Sequence, residues 1–136
     1  MNGTRTRPAA PARPRRATVT TAAAICGLSM LGLGLWAFLD PRSFSDFIDF
    51  TPYNEHLIHD AGAFQVGLGA AVLLALWWSD ALMVALTGFA VASGLHTLSH
   101  AMDRSLGGHD SDVPSLGLLT VVALIALYLH LQGRKP

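Results

Sequence analysis

The stretch 61–102, AGAFQVGLGAAVLLALWWSDALMVALTGFAVASGLHTLSHAM, decides the architecture. Across it only Asp80 carries a fixed charge, and Ser79 with Asp80 is its one turn signal. Each half is about 20 residues long, enough for a helix rising about 1.5 Å per residue to cross a hydrocarbon core roughly 30 Å thick. The stretch therefore predicts two transmembrane helices, over about 56–78 and 81–102, packed as a tight antiparallel hairpin around a two-residue turn. Gly62, Gly67, Gly69 and several alanines in the first half are the small residues that let membrane helices approach closely.

Working outward, two further apolar runs, over about 17–39 and 114–131, complete a predicted all-α, antiparallel four-transmembrane-helix bundle spanning 17–132. Of the 136 residues 51% are hydrophobic and 13% charged, about half the charged share of a soluble domain, which makes the lipid bilayer the expected solvent. The net charge is zero and no basic patch suggests a nucleic-acid partner. Residues 1–16, rich in Arg, Pro, Ala and Thr, offer almost nothing to bury and read as a disordered basic tail; 133–136 form a second short tail. The run 17–39 is longer than a signal-peptide core and lacks a small-residue cleavage pattern before Asp40 and Pro41, so it reads as a retained span. Phe44, Phe47 and Ile48 at helical spacing predict a short interfacial helix near 43–50, and Thr51 with Pro52 reads as a helix cap. Cys26, alone in an apolar run, reads as a small buried hydrophobe.

Charge sets the expected orientation. Arg5, Arg7, Arg13, Arg15 and Arg16 precede the first span and Arg134 and Lys135 follow the last, leaving only Arg42 and Arg104 in the two opposite loops. By the positive-inside rule both termini are cytoplasmic, in a multi-pass protein of the inner (plasma) membrane. All acidic residues but Asp80, and all histidines but His130, then fall toward the outer surface.

That surface carries the candidate chemistry. Glu55 and His59 share a helix face, as do His56 and Asp60, while His96, His100 and Asp103 follow at i, i+4 and i+7. Counted from the turn, His59 and His100 are level, so the two stripes are expected to face one another. Imidazoles and carboxylates converging from facing helices suit a transition metal such as Zn, Fe, Cu or Mn, with His59, His96 and His100 as core ligands and Glu55, Asp60 or Asp103 completing the shell. Other readings stay open. The cluster is equally what polar helix ends bonded to loops, headgroups or water look like, in a non-enzymatic accessory or scaffold subunit of a larger membrane complex or a homo-oligomer. A haem b held by His59 with His96 or His100 is a further possibility, disfavoured by the carboxylates. Neither a substrate nor an enzymatic activity follows from these residues. His109 is a loop residue at most capping a metal, Gln65 reads as an interhelical hydrogen-bonding residue, and His130 as an interfacial one without a role.

The segment 52–69, PYNEHLIHDAGAFQVGLG, resembles the small four-helix bacterial membrane proteins of the DoxX-like and related uncharacterised families, in which a polar motif opens the second helix and runs into a glycine-rich span. The Ala, Gly and Arg richness is actinobacterial in style. The resemblance is one of architecture over about 17–132; it implies a redox-linked role and carries no catalytic residue across. The orientation has a direct test: a reporter fused after Gly108 should read as extracytoplasmic, and a cytoplasmic signal there would overturn the charge argument.

Overall fold

The computed structural model describes residues 13–106 and 108–133. They form five helices: α1 (Arg13–Leu39), α2 (Pro41–Phe47), α3 (Glu55–Ala75), α4 (Ser79–Met102) and α5 (Asp112–Gln132). No strand occurs among the described residues. All but α2 are long and apolar enough to cross a membrane. The chain is a helical bundle in which α1, α3, α4 and α5 run alternately up and down and pack in the ring order α1–α3–α4–α5. The basic tail expected over 1–16 lies for the most part outside the described residues, as do the last three residues.

The closest packing joins α1 to α3, and glycine is the reason. A Cβ at Gly34 would lie 2.8 Å from the Gly62 carbonyl oxygen, and one at Gly62 would lie 2.8 Å from that of Gly34. One turn-pair away, a Cβ at Gly69 would lie 2.7 Å from the Gly27 oxygen. The paired positions add to the same number, 34 with 62 and 27 with 69, as antiparallel register requires. Within each helix the glycines are seven residues apart, two full turns, so both fall on one face. The backbones therefore touch, and dispersion contacts gain from an approach that any side chain would forbid.

The α3–α4 hairpin forms, but its turn comes earlier than expected and it is not the tightest pair. The α3–α4 connection is residues 76–78, with Ser79 and Asp80 already in the first turn of α4, where a carboxylate meets the positive end of the helix dipole. Beside that connection an open apolar groove of about 340 Å³ lies between α3 and α4, with Ala71 and Ala75 on one wall, Ala81 and Ala85 on the other and Trp78 at its end. A short turn fixes which helices follow one another; it does not fix which surfaces fit.

The α4–α5 pair is held by hydroxyls. Ser93 Oγ lies 2.9 Å from Thr120 Oγ1, and Thr97 Oγ1 lies 3.5 Å from it. Thr97 donates to the Ser93 carbonyl and Thr120 to the Leu116 carbonyl, which leaves the Ser93 hydroxyl as donor to Thr120. The two helix pairs close on a core of Cys26, Met30, Val72, Leu86, Phe89, Ala123 and Ala126. Cys26 is buried, its sulfur 3.9 Å from the Leu119 carbonyl oxygen, as a small hydrophobe there should be.

At the end of the bundle opposite the α3–α4 connection, α2 forms because Asp40 caps it, accepting from the Ser43 N–H at 3.2 Å, with Pro41 in the first turn. Its aromatic face lies on Trp36, with ring centroids 5.5 Å from Phe44 and 4.9 Å from Phe47. Thr51 and Pro52 stay outside α3; the cap is Asn54, whose side chain accepts from the Leu57 N–H at 3.1 Å.

Gly34→Ala and Gly69→Ala should each lower the stability of the detergent-solubilised protein by about 1–3 kcal/mol, the usual effect of overpacking. Gly67→Ala, with nothing within 4 Å of the added carbon, should be neutral or slightly stabilising. Thermal unfolding followed by circular dichroism compares the three.

Candidate functional site at the loop end of the bundle

The polar end of the bundle gathers the termini of α3, α4 and α5, the loop 103–111 and α2. Each of its residues is placed by the helix that carries it. His96 and His100 sit one turn apart near the end of α4, and their rings meet edge to face with centroids 4.8 Å apart. The Nδ1 edge of His100 faces α5, where Asp112 Oδ2 lies 3.4 Å away. Both side chains are partly buried. The same Asp112 oxygen accepts the His109 backbone N–H at 2.8 Å, so one carboxylate ties the loop to α5 and faces the imidazole of α4.

Gly108 makes this possible. It has φ +83°, a conformation that L side chains resist, and a Cβ there would lie 2.7 Å from Asp112 Oδ2. The folded-back loop leaves a cleft of about 30 Å³, room for a water or a small ion, lined by His100, Arg104, Gly108, His109, Asp110 and Val113. Ser111 is the helix cap by position, yet it makes no side-chain cap hydrogen bond, and the Asp112 carboxylate serves the loop instead.

The α3 residues stand apart from this group. The His59 ring lies against Phe38 of α1, centroids 5.4 Å apart, on the surface where α3 meets its glycine-packed neighbour. His56 and Asp60 face each other at 3.5 Å, with 88% and 55% of their side chains exposed. Glu55 lies exposed in the first turn of α3, and Asp103 is the exposed C-cap of α4, its N–H bonded to the Ser99 carbonyl. Among the described residues no three His, Cys, Asp or Glu side chains gather closely enough to hold a metal ion. What converges is the pair His96 and His100, with Asp112 facing His100, and Asp112 is not in the ligand set expected from the sequence.

Gln65 departs from its expected role. Its side-chain oxygen is buried without a hydrogen-bond partner among the described residues, beside the Gly34 contact. The glycine packing brings the backbones so close that a polar side chain is enclosed without an acceptor's partner within reach. The open apolar groove between α3 and α4 lies at the other end of the bundle and shares no residue with the polar cleft.

Compared with known proteins, the chain matches no family model, no curated protein and no solved structure.

The hydroxyl seam below the histidines sets how firmly α4 carries them against α5. Thr120→Val removes the acceptor of the Ser93 hydroxyl and should lower stability by about 0.5–1.5 kcal/mol, the ordinary worth of an interhelical hydrogen bond. Ser93→Ala combined with Thr120→Val should cost less than the sum of the two single changes, because both report the same bond. A double-mutant cycle by thermal unfolding measures it.

Proposed function

We propose that this chain is a multi-pass membrane protein, both termini cytoplasmic, that binds a transition-metal ion at the extracytoplasmic ends of its helices. The observation that carries the reading is the approach of two imidazoles and a carboxylate, His96, His100 and Asp112, from two helices at one end of the bundle. An imidazole pair one turn apart offers two nitrogen donors to one cation, and Zn, Cu and Fe take such donors readily. The placement of eight acidic residues on this side favours a cation over a porphyrin, so haem b ranks behind. The resemblance to DoxX-like proteins implies a redox link.

A second reading has its own support: an accessory or scaffold subunit whose polar end is structural. It draws on the absence, among the described residues, of a three-ligand cluster and on the apolar groove between α3 and α4, where alanines alternate with Leu74, Trp78 and Val84 and leave room for a further apolar helix.

Elemental analysis of protein purified without a histidine tag separates the two. Metal binding predicts close to one equivalent of transition metal, lost in His96→Ala and retained in His130→Ala. Metal at background level in the unmodified protein favours the scaffold.

A further inference from the structure

We infer that the cation is seated by α4 and α5 alone, with His96 and His100 as its nitrogen ligands and Asp112 as a positioning residue that orients His100. This rests on the metal-binding reading above and fixes which half of the bundle carries it. The sequence offers a seat shared between α3 and α4, yet the geometry divides those residues. His59 is engaged with Phe38 of α1, and His56 and Asp60 are exposed and face each other. On α4, by contrast, His96 and His100 lie one turn apart on one helix face, and their rings meet edge to face with centroids 4.8 Å apart, so both imidazoles are presented to one region.

The Asp112 carboxylate supplies what an imidazole ligand needs from its surroundings. Nδ1 of His100 lies 3.4 Å from Asp112 Oδ2, and a carboxylate on that side favours the tautomer that presents Nε2 to a cation. Asp112 is itself held in place by the His109 N–H, and Gly108 gives the loop the turn that makes that bond. The groups around His100 set the balance of charge. Asp112 comes from α5, His109 and Asp110 from the loop, and His96 and Arg104 from α4. Arg104 works against a cation and the two carboxylates offset it. Two imidazoles as primary donors point to copper, nickel or zinc rather than magnesium or calcium, which prefer all-oxygen shells.

Copper(II) titrated into detergent-purified, tag-free protein, followed by electron paramagnetic resonance, tests this. The expected signal carries coupling to two imidazole nitrogens, falling to one in His100→Ala. Asp112→Asn should weaken copper binding by about 10–100-fold, with partial recovery in Asp112→Glu, as loss and restoration of an orienting carboxylate predict. His59→Ala should bind as the parent does. If Asp112→Asn binds like the parent, or if His59→Ala loses copper, the seat assigned to α4 and α5 is wrong while metal binding itself stands. If the parent binds no copper, zinc or nickel, the metal reading falls and this inference with it. Should Asp112→Asn fail to fold, the comparison of His100→Ala with His59→Ala still decides: loss at His100 alone supports the assignment, and loss at His59 overturns it.

Discussion

The backbone-to-backbone contact of α1 with α3 is the constraint on which the rest of the bundle depends. Gly27 over Gly69 and Gly34 over Gly62 bring two helices closer than any side chain permits. In a bilayer, apolar surface gains little by leaving lipid, so helix association relies on packing and on hydrogen bonds. The α1–α3 pair takes the first route and the α4–α5 pair the second, through Ser93, Thr97 and Thr120. The two pairs meet over Cys26, Val72, Leu86, Phe89 and Ala123, while a groove beside the α3–α4 connection stays open.

This division has a chemical consequence. A residue on α3 belongs to the glycine-packed pair and one on α4 to the hydroxyl-linked pair, whatever their depth. His59 therefore rests on Phe38, and His100 faces Asp112. Residues 108–111 follow the same rule, because the turn at Gly108 brings the His109 N–H onto Asp112 in the first turn of α5.

The four long helices are legible because lipid imposes length and apolarity directly on the sequence, and the 61–102 stretch carries both marks. Which helices pack tightest is less so. The matched seven-residue spacing of Gly27 with Gly34 and of Gly62 with Gly69 was there to be read, but a two-residue turn signal at Ser79 and Asp80 directs attention to the neighbouring hairpin. Counting from that turn places His59 and His100 at one depth and is silent on azimuth, which the glycine contact decides. Asp112 escapes for a different reason. In a linear sequence an aspartate opening a helix after a glycine-rich loop looks like a cap, and only the folded loop reveals that its oxygen serves His109 and faces His100.

We propose that the hydroxyl-linked half of the bundle, and not the glycine-packed half, is the one that binds a cation. Anomalous diffraction at the zinc absorption edge, from crystals grown with zinc, tests it most directly. The expected peak lies about 2.0–2.1 Å from a nitrogen of His96 and of His100, with Asp112 on the far side of the His100 ring. A peak among Glu55, His59 and Asp60, or none at the α4–α5 end, would contradict it.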